Sequence, residues 1–164
     1  MNSMERKKEL EAHLAGLPRL PEWIDCRAFH AMGMCFALVY RLPVVGHALL
    51  RGLARFSSFV LVRGKVLGLK ADPDGNPVRI VSDWMKFPAL MRVPCEVAEA
   101  SEERVVLHWP ECPIGYHDPA QAPLCRAVME IDQRTVERMG GEMTIAETVL
   151  EGAPCCKFIF THRL

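Results

Sequence analysis

The chain has 164 residues, half of them hydrophobic, with 20 Lys and Arg against 20 Asp and Glu for a net charge of zero. That length suits one domain, 1–164, able to bury its own core, and that composition excludes a disordered segment. Zero net charge gives no general pull toward nucleic acid or an anionic membrane and little repulsion between copies, so no nucleic-acid or membrane partner and a homodimer are expected.

The N-terminal run Met1–Glu9 is charged and lacks the apolar core of a secretion signal. The apolar stretch from Val44 to Leu69 is interrupted by Arg51, Arg55, Arg63 and Lys65, too many charges for a membrane span. Seven cysteines, an odd number, without an export signal read as reduced thiols in a cytoplasmic protein, most of them simply packed in the core.

In chain order, Ser3 and Glu5 open a first helix with Leu10, Leu14 and Leu17 as its stripe, ended by Pro18 and Pro21. From Glu22 to Arg41, Phe29, Met32, Phe36, Val39 and Tyr40 recur at helical spacing. Cys26 and His30 share a face of that helix and are half of a metal shell, although packing is the favoured reading. After Pro43 a third helix has Gly46, Leu49, Leu50, Leu53, Phe56 and Val60 as its apolar face, with Arg51 and Arg55 on the other side. The run 71–77 is a turn by composition, Val78–Val81 reads as a short strand, and Ser82–Lys86 begins a brief helix limited by Pro88.

Val93, Cys95 and Val97 alternate with more polar neighbours, as do Val105, Leu107 and Trp109, which predicts an antiparallel hairpin turned by Ser101–Glu103. Pro94 pushes the first of these strands toward an edge or a bulge. Cys112–Ala122 is a loop, and a helix follows from about Leu124 to Met139 with Leu124, Val128, Ile131 and Met139 inward, stopped by Gly140 or Gly141. Strands over Glu142–Leu150 and Cys155–Thr161 close the chain. The order predicts an α+β fold: N-terminal helices packed on an antiparallel sheet, with one helix between two C-terminal hairpins.

Four of the seven cysteines fall between Glu111 and Phe160. Cys125 and Asp132 are seven apart on one helix, so they share a face about 10 Å apart and line one pocket without sharing one metal ion. Cys112, His117 and Cys125 form a candidate site for zinc or another divalent ion, against a bland alternative of packed thiols and a loop histidine. Cys155 and Cys156 are adjacent on a strand and point to opposite faces, Cys156 with Phe158 and Phe160 toward the core. No Cys-x-x-Cys pair, nucleophile elbow, phosphate loop or dinucleotide fingerprint is present. His117 has the intrinsic pKa of an acid–base catalyst, Asp132 or Glu111 serves if desolvated, and Cys125 in the first turn of its helix is favoured as thiolate by the helix dipole.

Cys112-Pro113, Cys125 with Asp132, and Thr148-x-x-x-Gly152-x-x-x-Cys156-x-Phe158 together resemble the family of L-2-amino-thiazoline-4-carboxylic acid hydrolases. That family is more distantly similar to the 4-vinyl reductase domain, a small-ligand-binding fold. The resemblance covers the last third of the chain well and the helical half only in layout. It implies an α+β dimer with a pocket between helices and sheet, and hydrolytic opening of a cyclic amidine-like ring. Asp132 or His117 then activates water, Cys125 and Cys112 shape or metallate the pocket, and Tyr116 and Thr148 line it. Zinc-binding sensors with the related domain carry a cysteine where Thr148 stands here, which argues against that zinc site, and the neighbouring Glu147 points to the other strand face. The alternative is a binding or sensing module that takes a small molecule without catalysis.

Overall fold

The computed structural model describes residues 2–21, 25–42 and 45–163, and for 25–29 the backbone alone. Its centre is a four-stranded antiparallel sheet of β1 (Glu96–Ala100), β2 (Arg104–Trp109), β3 (Gly141–Glu147) and β4 (Cys156–His162), in the order β1-β2-β4-β3. Period-two alternation decides which side faces in. Val105, Leu107 and Trp109 of β2 stand opposite Phe160, Phe158 and Cys156 of β4, and Met143 and Ile145 of β3 stand opposite the same two phenylalanines. All of these are buried, while Lys157, Thr161, Glu142 and Thr144 take the opposite face. Helix α6 (Ala122–Met139) joins β2 to β3 and leaves a gap between them that β4 fills, a split β-α-β arrangement. The predicted α+β architecture, with one helix between two hairpins, is the observed one.

Helix α6 turns Val128, Met129, Val136 and Met139 into the core and ends at Gly140, whose φ of 101° is the left-handed conformation that favours glycine. The backbone N–H of Asp72 donates to the Met139 carbonyl at 2.7 Å, so the turn before residue 77 caps the far end of α6. α1 (Ser3–Ala15) lies against β1. Its cap is Asn2 rather than Ser3: Asn2 and Glu5 form a reciprocal capping box, and the Ser3 hydroxyl donates to the Ala100 carbonyl at 3.0 Å.

Three local expectations are corrected. Val78–Val81 is not a strand, and no helix begins at Ser82; both belong to α4 (Pro77–Trp84). The Asn76 side chain accepts from the Val78 and Arg79 N–H groups and Pro77 occupies the first turn, a start signal stronger than the β-branched run that follows. Ile80, Val81 and Trp84 then bury one helical face, and α5 (Lys86–Leu90) follows at once. The last two strands are shorter at the hairpin than expected, because the chain leaves β3 at Glu147, makes a single 3-10 turn over Val149–Glu151 and re-enters at Cys156. β1 begins at Glu96, past Pro94, and carries a bulge between Val97 and Glu99.

The third correction is the facing of α3 (Gly46–Arg63). It packs on α6 and buries Leu50, Ala54 and Ser58, with Gly46 against the Val39 and Tyr40 carbonyls at its start, while Leu49, Leu53, Phe56 and Val60, expected inside, are exposed. Ala54 and Ser58 are small and Leu50 is the one large residue of this stripe, so the helices approach closely and most of the large side chains are left on the outside. α2 (Asp25–Tyr40) precedes it, with the Tyr40 and His47 rings 4.4 Å apart across the connection. The predicted break at Pro43 lies outside the described residues, as does the Cys26 side chain of the candidate Cys26–His30 pair.

Candidate functional site

The loop after β2 brings Cys112 near Cys125 in the first turn of α6. It is pinned by α2. The buried Tyr116 hydroxyl donates to the Gly33 carbonyl at 2.9 Å. A Cβ on Gly33 would stand 2.2 Å from the Ile114 side chain, so only glycine permits this approach. Gly115, at φ 78°, meets the His30 ring in the same way.

Beneath that loop three thiols gather. Cys112 from the loop, Cys125 one turn into α6 and Cys156 at the start of β4 are close enough to act on one another electrostatically, and the first two also act on Tyr116. Burial pushes the Cys125 thiol up to about 12, with Cys112 and Cys156 adding to the rise and Arg126 opposing it. Burial likewise raises Cys156, against a hydrogen bond from the Val149 N–H to its sulfur at 3.4 Å. The expected thiolate at Cys125 is therefore corrected. Desolvation of the charged form outweighs the helix dipole, because the side chain points into the core and not along the helix axis.

The rim of this cluster is polar and closed on itself. Buried Thr148 donates to Glu151 Oε2 at 2.9 Å, and Arg126 grips the same carboxylate through Nε at 3.0 Å and Nη2 at 2.7 Å. Arg126 and Thr148 hold the Glu151 carboxyl below its usual range. Glu147 pairs with Lys157 at 3.7 Å on the opposite face of the sheet, turned outward by the register shift between Ile145 and Glu147, since strict alternation from Met143 and Ile145 would turn it inward.

The other predicted residues separate from this cluster. His117 is exposed beyond the loop, where its backbone N–H donates to Gln121 Oε1 at 3.2 Å, and Glu111 is exposed as well. Among the described residues no three His, Cys, Asp or Glu side chains stand where they could hold one metal ion, so Cys112, His117 and Cys125 are not assembled as a metal centre. Asp132 keeps the expected face of α6 but has its own neighbourhood. Its Oδ1 accepts from the Trp84 indole N–H at 3.0 Å, next to the rings of Trp109, stacked 5.7 Å from Trp84, and Phe160. Burial among these rings pushes its carboxyl up to about 6, against the indole hydrogen bond.

Sequence reasoning grouped Cys112 with Cys125 and assigned Cys156 to packing alone. The missing signal was the register, which sets Cys156 opposite Trp109 immediately before the site loop. Trp84 was missed because the segment bearing it was read as a strand followed by a new helix. A further buried thiol, Cys95, is pushed up to about 12 by burial, with the Trp109 indole N–H opposing. That N–H makes no hydrogen bond of ordinary geometry.

In comparison with known proteins, the chain matches no protein-family model and no curated sequence.

Proposed function

We propose that the chain is a small-molecule-binding domain whose ligand lies against Cys112, Cys125, Cys156 and Tyr116. The observation that supports this most is the convergence of uncharged, polarizable groups beneath a loop that α2 clamps shut, with the Cys125 thiol pushed up to about 12. Such a lining suits a neutral or weakly acidic ring, of which a thiazoline is the example the sequence resemblance supplies. Thr148 and the Arg126–Glu151 pair form the polar rim that would orient it. The reading includes reduced cysteines in the cytoplasm, and none of the six described cysteines is bridged. A homodimer would have to join exposed faces such as that of α3, where Arg51 and Arg55 flank the apolar stripe and repel their copies.

One observation favours hydrolysis as a second reading: Asp132 is pushed up to about 6, near the range of a general acid or base. The probe for both is L-2-amino-thiazoline-4-carboxylic acid. A melting temperature raised by the compound, with the compound recovered intact, supports binding. Ring opening that depends on a group titrating near 6 and disappears in D132N supports the hydrolase. If the compound neither raises the melting temperature nor is opened, this ligand class is ruled out.

A further inference from the structure

Between Asp25 and Asp72 the chain carries seven Lys and Arg and no Asp or Glu, so the zero net charge conceals a basic segment set against an acidic remainder. That segment holds α2, α3 and the turn after them. It also holds most of the exposed large apolar side chains, including Met34 and Leu38 on α2 and Leu49, Phe56, Phe59 and Val60 on α3. Phe56 is 67% and Phe59 50% exposed.

At the C-terminal end of α3 the two properties meet. A cleft of about 670 Å³ is lined by Phe59, Val62 and Ala71 together with four cations, Arg63, Lys65, Lys70 and Arg138, and by no acid. Arg138 is fixed there by donating to the Ser58 hydroxyl at 3.0 Å, and its guanidinium lies 5.6 Å over the Phe59 ring. Arg63, Lys65 and Lys70 make no ion pair with a described residue. Beside the cleft, Lys65 and Leu67 take positive φ angles of 51° and 54°, and this turn keeps Val66 and Leu67 on the surface. Left-handed backbone at two non-glycine residues costs energy, and here it accompanies exposed apolar side chains instead of buried ones.

We propose that this end of the molecule docks on an anionic phospholipid surface. The cleft takes a lipid phosphate between Arg63, Lys65, Lys70 and Arg138, while Phe56, Phe59, Val66 and Leu67 enter the headgroup–acyl boundary. Charge decides the occupant. A second copy would bring cations against cations, whereas an anionic bilayer offers phosphate for the cleft and hydrocarbon for the apolar stripe. Nucleic acid satisfies the cations but leaves the exposed aliphatic side chains in water. No helix among the described residues is long and apolar enough to cross a membrane, so the contact is with one leaflet.

The test is co-sedimentation of the full chain with phosphatidylcholine vesicles, with and without a one-third share of phosphatidylglycerol. The chain should pellet with the anionic vesicles and stay in solution with the neutral ones, and release as salt is raised. The variant R63Q/K65Q/K70Q should weaken binding about a hundredfold, from roughly a fivefold share per cation near the surface. F56S/F59S should weaken it at unchanged charge, which a purely ionic contact would not show. If the triple variant fails to fold by circular dichroism, the salt dependence of the unaltered chain decides in its place. Equal pelleting with neutral vesicles, no pelleting with either, or loss of both effects into a dimer that covers α3 in sedimentation velocity overturns the proposal. Binding to heparin as tight as to vesicles, unaffected by F56S/F59S, overturns it in favour of a general polyanion surface.

Discussion

Helices α3 and α6 each have 18 residues and pack along one another, yet they sort their side chains in opposite ways. α6 sends Val128, Met129, Val136 and Met139 inward and balances its outer charges in pairs such as Glu130–Arg134. α3 sends Gly46, Leu50, Ala54 and Ser58 inward and leaves Leu49, Phe56 and Val60 in solvent beside arginines that have no acid on the same helix. The difference follows from position in the layers. α6 is covered by the sheet on one side and α3 on the other, whereas α3 is covered on one side only. A large apolar side chain is thus a core residue only where a second surface meets it.

Substitutions can break or sharpen this contrast. Phe160 is fully buried in the sheet, and F160A should cost about 3–5 kcal/mol in urea unfolding, since the aromatic cluster around it cannot collapse into the space. Within the α3–α6 contact, A54L should cost about 1–3 kcal/mol by forcing the helices apart, although it adds an apolar residue. If it stabilises instead, the close packing of the small stripe is wrong.

Asp132 gives a signed dependence on pH. Its folded carboxyl titrates at about 6, above the unfolded value, so the folded state holds a proton that the unfolded chain has already lost. Stability should therefore be highest below the unfolded Asp pKa and fall as pH rises through about 6. D132N keeps an oxygen for the Trp84 N–H, so it should stabilise the protein by about 1–2 kcal/mol near pH 8 and not near pH 4. Melting curves of both proteins across that range check it, and a constant difference would contradict the assignment.

Smaller effects finish the series. N76A should cost about 1 kcal/mol, because two N–H groups at the start of α4 lose their acceptor. F56S should change stability by no more than about 0.5 kcal/mol, since that ring contributes to the surface and not the core. A loss comparable to F160A would return α3's outer stripe to the interior.

The strands and the long helix were legible because their apolar residues repeat at two and at 3.6 with turn residues between. The shared face of Cys125 and Asp132 was legible for the same reason. The α4 segment was not legible, since Val78, Ile80 and Val81 suit a strand locally and the Asn76–Pro77 helix start looks like part of the preceding turn. The candidate site was partly legible: Cys112 and Cys125 are near enough to influence one another's ionisation, but His117 faces solvent and Asp132 belongs with Trp84.

Periodicity, turn chemistry and caps are local, so the sequence by itself determined most of the helices and strands, α4 excepted, and that they form an α+β domain. It did not determine which of two helical stripes on α3 is inside, whether a thiol at a helix start is charged, or which distant side chain meets Asp132. Those depend on the desolvation and contacts supplied by segments far along the chain. Only the packed tertiary structure decides them, because burial is a property of what lies on the other side of a surface.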